Sequence, residues 1–172
     1  LFEAQGFMVV VTREPGGTHL GEAIRKLLLH RDKELAVSHR AELLLFLSAR
    51  AQHVEERISP ALNEGKVVLC DRFSDSSVAY QGYARKLGMK EVEALNHFAT
   101  GGLVPNLTFF LDLDPNQGLA RASKVRAADH FEEEKLDFHK LVREGFLELA
   151  KANPKRMRII DASCSQEQVL DQ

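Results

Sequence analysis

Residues 66–82, KVVLCDRFSDSSVAYQG, limit the choice of fold more than any other stretch of the chain. An apolar, largely β-branched run, Val67-Val68-Leu69-Cys70, stops abruptly at Asp71-Arg72. A short run bounded in this way predicts a strand of a parallel sheet, buried on both faces. Open α/β sheets bind their ligands beyond the carboxyl ends of the strands, which is where Asp71 and Arg72 fall. The hydroxyl-rich residues 74–81 that follow predict a polar binding segment.

Three further runs read as strands, over residues 7–12, 107–113 and 157–161, and between them the period turns helical. Before the first of these, residues 1–5 read as the tail of a helix turning at Gly6. Thr18 is placed to cap a helix carrying Leu20, Ile24, Leu27 and Leu28 on one stripe. A second helix is predicted from about Ser38 to residue 58 and a third over 90–100. Pro115 opens a helix to about residue 123, residues 136–150 form another, and a short one ends the chain. Arg13-Glu14-Pro15-Gly16-Gly17 must turn. Strands separated by helices imply an α/β fold with right-handed crossovers. Its parallel sheet would form three layers with helices on both faces, in a single domain over residues 1–172.

Composition removes several classes of function. A formal net charge of −2 gives no basic field for a nucleic-acid backbone. No apolar run approaches the roughly 20 residues of a membrane helix. Cys70 and Cys164 form neither a disulfide framework nor a metal spacing, which points to a reduced, cytoplasmic setting. The seven histidines show no HExxH pairing.

Phe46 and Arg50 are four apart and share a helix face, so a planar base could stack on one and bond the other. The same spacing is, more often, that of a core Phe beside a solvated Arg. Arg13-Glu14 and Asp71-Arg72 each end a strand, and two arginines at one crevice are a natural clamp for a phosphate. Ser76, Ser77 and Gln81 add donors and acceptors for a sugar or base. Together these residues point to a nucleoside monophosphate pocket.

On the stretches TREPGGT (12–18), FLSAR (46–50), DRF with DSSVAYQG (71–82) and PNL leading into FFLDLDP (105–115), the chain resembles bacterial thymidylate kinase over nearly its whole length. The resemblance implies a P-loop kinase-like fold that phosphorylates dTMP with ATP and Mg2+. It implies that Phe46 stacks on thymine, that Arg50 reads its carbonyl edge, and that Ser77 and Gln81 approach the base. Tyr80 would lie near the deoxyribose and help exclude a 2′-hydroxyl. Arg72, with Arg13 and Arg25, would hold the acceptor phosphate, and Glu14 and Ser76 would line the same pocket. Asp71 is expected near the magnesium and its waters. Residues 119–132 resemble a short lid, with Arg121, Lys124 and Arg126 over the ATP phosphates; for Lys124 and Arg126 a solvated charged loop is the other reading. Asp129 and Glu132 resemble the acids at its far end, where His130 replaces the usual Arg. Phe73 stands where Tyr is more usual. A homodimer packed through helices of the first half is also implied, and the apolar density over 43–47 suits either an interface or core.

The chain departs from the family in one respect. It contains no GxxxxGK[ST], the phosphate loop that lies one helix upstream of the TREPGG strand in the family. The strand before that loop is expected mid-sheet, between the strands carrying Glu14 and Asp71, and without it both would be left with bare edges. The sequence begins at Leu1 without Met or a signal-peptide pattern, so about 20 further N-terminal residues are expected. The C-terminal helix also stops early for the family. Two other readings keep the fold: a kinase for another nucleoside monophosphate, and a truncated or inactive nucleotide-binding remnant.

Overall fold

The computed structural model describes residues 2–29, 35–124 and 129–172. After a 3-10 turn at Glu3–Gln5, closed by Gly6 in a left-handed conformation, β1 runs over Val9–Arg13. The start and end lie later than the predicted 7–12. The TREPGG turn leads into α1, His19–Leu29, whose first turn is capped as expected: the Gly21 amide donates to Thr18 Oγ1 at 2.9 Å. Helix α2, His39–His53, starts at Ser38, whose hydroxyl accepts from the Ala41 amide. The helical course then widens to π geometry over Val54–Ile58 and ends in α3, Ser59–Asn63, which carries Pro60 in its first turn.

Strand β2, Val67–Asp71, is followed at once by α4, Ser74–Ser77, and a π-helical stretch over Val78–Ala84. The polar segment is therefore helical, and its side chains leave on defined faces. Next come α5, Met89–Thr100; β3, Thr108–Asp112; α6, Pro115–Ala122; α7, Leu136–Ala152; β4, Met157–Asp161; and α8, Gln166–Leu170.

Among the described residues all strand pairing is parallel, in two ladders. Strand β1 pairs with β2 from Val9↔Val67 to Arg13↔Asp71, and β3 with β4 from Thr108↔Met157 to Asp112↔Asp161. Two expectations are corrected here. A strand between those carrying Glu14 and Asp71 is impossible, because the five consecutive pairings of β1 with β2 consume the facing edges of both. Among the described residues it is β2 and β3 that no ladder joins. Nor is β2 buried on both faces: its Leu69 is 43% exposed, and its ladder partner Val11 is 74% exposed.

The core lies on the helical side. Leu43 and Leu47 of α2, Val78 and Ala79, Val92 of α5, and Phe138, Val142 and Leu149 of α7 form one cluster with Met157 of β4. Helix α7 lies against the π-helical stretch because Gly145 admits it; a Cβ there would meet Tyr83 Cβ at 2.9 Å. A smaller cluster, Ile24, Leu28 and Ala49, fastens α1 to α2. An Arg156 fork ties α4 to the β3–β4 ladder: it donates to both Asp75 carboxylate oxygens, at 2.7 and 2.8 Å, and to Thr108 Oγ1 at 3.0 Å. Asp75 begins the site-bearing helical segment, so that segment is anchored to β3 and β4.

Candidate nucleotide site

At the carboxyl ends of β1 and β2 the structure encloses a cavity of about 270 Å³. Helix α2 contributes Phe46 and Arg50; the strand ends contribute Glu14, Asp71 and Arg72. The segment after β2 contributes Ser76, Ser77, Tyr80 and Gln81, and α1 contributes Arg25. Of the acids expected at the far end of the lid, Asp129 and Glu132 also line it.

Arg50 is buried and held by three hydrogen bonds. Its Nε donates to Glu14 Oε2 at 2.8 Å; its Nη1 donates to Ser77 Oγ at 3.0 Å and to Asn96 Oδ1 at 2.6 Å. Glu14 is buried with it, so the ion pair is desolvated on both sides, with side-chain exposures of 2% and 3%. Its other oxygen, Oε1, bonds His53 Nδ1 at 3.0 Å, and His53 Nε2 shares a hydrogen bond of 2.7 Å with Thr12 Oγ1. Phe46 is half-buried and tilts against Phe131, with ring centroids 5.8 Å apart. Gln81 donates its amide to Glu42 Oε1 at 3.0 Å, deep in the protein.

Arg72 sits where β2 turns into α4, with a positive φ of 65° that few non-glycine residues adopt. Its guanidinium lies over the Tyr80 ring, 5.3 Å from the centroid. Tyr80 is the main influence that raises Arg72 above the usual arginine range; burial opposes it, and Asp71 and Asp129 add to it. The cation is therefore permanent. The Cys70 thiol donates to the Arg72 carbonyl at 3.0 Å. Burial, and then the Glu14 carboxylate, push the Cys70 thiol up to about 12, so it does not ionise near neutrality.

Three cations stand apart from the cavity. Arg13 reaches Glu22, at 3.4 Å, along the outer side of the turn. Arg121 donates to the carbonyls of Ala162, at 2.9 Å, and Ser163, at 3.2 Å, and so rests on the β4–α8 turn. Lys124 is exposed, and Arg126 lies outside the described residues. Arg25 spends one nitrogen on the Pro15 carbonyl at 2.9 Å while still lining the cavity.

Sequence reasoning overlooked His53, Asn96, Phe131 and His139. His53 had a signal, since it is three residues beyond Arg50 and so on the same helix face. Phe131 is an apolar residue in a charged stretch. Asn96 had none, being 46 residues from Arg50 in the chain.

An aromatic-lined cavity that sets three arginines among four carboxylates at the carboxyl ends of parallel strands fits a class: an α/β kinase acting on a nucleoside monophosphate. A family model described as thymidylate kinase matches residues 1–172. The thymidylate kinase of Protochlamydia amoebophila is 50% identical over 176 residues, which cover 98% of this chain and 78% of the relative. That of a Synechococcus strain is 53% identical over 163 residues, covering 95% and 77%. The crystal structure of thymidylate kinase from Ehrlichia chaffeensis superposes with a TM-score of 0.72 at 35% identity, covering 92% of this chain and 72% of that one. The chain belongs to the thymidylate kinase family, and its fold is that of the P-loop kinases.

Proposed function

We propose that the cavity is the dTMP site of an ATP:dTMP phosphotransferase. A phosphate oxygen of dTMP attacks the γ-phosphorus of ATP, the bond to the ADP oxygen breaks, and dTDP and ADP leave. The observation that carries the assignment of the site is the meeting of Arg72, Arg25, Arg50 and Phe46 in one cavity with Ser76, Ser77 and Tyr80.

No general base is needed, because a nucleoside monophosphate is already mostly dianionic, with a second pKa of about 6. The protein has to align two anions and hold their charge. Arg72 is the catalytic clamp on the acceptor phosphate, with Arg25 beside it; Arg13, turned to Glu22 outside the cavity, does not join them. Phe46 offers a ring face to the base and Arg50 its remaining donors. Ser77 and Gln81 flank the base, and Tyr80 fills the space next to the sugar. Arg121, Lys124 and Arg126 are assigned to the ATP side, over the phosphates.

Asp71 is exposed at the mouth of the cavity, and a single carboxylate suits magnesium, which keeps most of its waters and takes the rest of its ligands from phosphates. Asp71 would hold those waters, and the ion would supply neutralisation of the transferring phosphoryl group.

Among the described residues no helix is long and apolar enough to cross a membrane; the free Cys70 and Cys164 support a reduced, cytoplasmic setting, and the net charge of −2 gives no field for nucleic acid. Leu44 of α2 with Leu95 and Phe98 of α5 leaves an exposed apolar surface that supports a homodimer through these helices. Coupled ADP release with ATP and magnesium against dTMP, dUMP, dCMP, AMP and GMP tests the assignment. Turnover should be fastest on dTMP; equal rates on the purine nucleotides would overturn it.

A further inference from the structure

His53 is wholly enclosed, yet both its ring nitrogens are engaged, and neither engagement belongs to helix α2, which carries it. Both point into the β1–α1 turn. A carboxylate can only accept, so Nδ1 carries the proton towards Glu14 Oε1, and in the neutral ring Nε2 then accepts the Thr12 hydroxyl. The ring also fills the hollow of the turn. A Cβ on Gly17 would lie 2.6 Å from His53 Cδ2 and Nε2, and Gly17 has a φ of +78°. The imidazole is thus moulded to a glycine turn that no larger residue could form.

The consequence reaches the cavity through Glu14. Its two carboxylate oxygens are held by residues three apart on α2, one by His53 and the other by Arg50. Each Glu14 oxygen is engaged by a side chain of α2, and Glu14 serves as a strut for Arg50. With Nε on that strut and Nη1 on Ser77 and Asn96, Arg50 keeps one orientation. Without His53, Oε1 is orphaned and the carboxylate is free to turn, and Arg50 turns with it.

We propose that His53 is a positioning residue for the nucleoside monophosphate: by gripping Thr12 and Glu14 it fixes the TREPGG turn and, through Glu14, the guanidinium of Arg50. This rests on the cavity being the dTMP site. The grip on Glu14 carries the effect and the grip on Thr12 supports it. Asn reproduces the Nδ1 donor to Glu14 but not the Nε2 contact, and Gln reproduces the reverse.

The test is dTMP affinity by titration calorimetry, with ATP affinity and thermal midpoint measured on the same samples of the full chain. His53→Phe should weaken dTMP about tenfold, the worth of roughly one well-made hydrogen bond to a charged group, with ATP affinity within twofold. His53→Asn should recover most of that loss and His53→Gln should not, whatever their order of thermal stability. Should His53→Phe fail to fold, the Asn and Gln variants carry the comparison. Equal rescue by both, or dTMP affinity that follows the thermal midpoint rather than the nitrogen retained, overturns the proposal. Failure of the parent chain to bind dTMP sinks the assignment of the cavity instead, so the two failures are told apart.

Discussion

Removing the Glu14 carboxylate should be among the most damaging single changes in this protein. Glu14→Ala strips Arg50 of its buried counter-charge and leaves His53 Nδ1 without its acceptor. At 2.8 Å and an effective dielectric of about 20, the pair attracts by about 6 kcal/mol, much of it offset by the desolvation of both groups on folding. Breaking such a pair from one side typically costs about 3–5 kcal/mol, because the remaining ion stays buried. In a chain of this size each kcal/mol moves the thermal midpoint by about 2–4 °C, so a fall of roughly 6–20 °C is expected. Urea unfolding supplies the free energy directly, with an unchanged m-value showing that the native state has kept its compactness. The double variant Glu14→Leu with Arg50→Met removes both charges and should lose less than the two single losses added together. A loss below about 1 kcal/mol for Glu14→Ala, or strict additivity in the double variant, would refute the reading of a desolvated pair.

Other expectations follow from the same geometry. Gly17→Ala demands space held by His53 and Thr12 at a positive φ; it should cost at least about 2 kcal/mol and weaken dTMP binding, as urea unfolding and calorimetry would show. Asp75→Ala cuts the fork of Arg156 and should cost about 2–4 kcal/mol by the same measurement. Cys70, with its thiol pushed up to about 12 from 9.0, should react with a disulfide reagent at pH 8 far more slowly than Cys164, and Cys70→Ser identifies the slow phase. Because the folded-state pKa is raised, the stability Cys70 contributes is whole below pH 9.0 and is lost as pH climbs towards about 12.

The sequence disclosed the frame of the site better than its interior. The charged strand ends around Arg13 and Asp71, the cap at Thr18, the helix start near Ser38 and the helical face shared by Phe46 and Arg50 all follow from local rules, and the fold honours them to within a residue or two. Arg50 defeated the local rule. Its spacing fits a solvated arginine, and only contacts from β1, from Ser77 and from Asn96 of α5 make it a buried one. Long-range partners of that kind leave no periodicity to read. The apolar run at Val67–Cys70 misled in a different way: burial on both faces was inferred from composition, but what covers a strand is settled by other elements, and Val11 and Leu69 lie open.

Arg72 shows what the site asks of the backbone. Holding a non-glycine residue in the left-handed region costs about 1 kcal/mol, and the guanidinium resting on Tyr80 returns about 0.5–1 kcal/mol. The two nearly cancel, so Arg72→Gly, which relieves the first and forfeits the second, should leave urea stability within about 1 kcal/mol of the parent. Activity should not follow. Loss of a clamping arginine in phosphoryl transfer costs on the order of a thousandfold in turnover, and lysine, which lacks the planar fork, should recover little of it. Stability and catalysis thus separate at one residue. An Arg72→Gly protein that unfolds several kcal/mol more easily would mean that the side chain holds the corner together. One that still turns over dTMP at near-parental rates would mean that the acceptor phosphate is held elsewhere in the cavity.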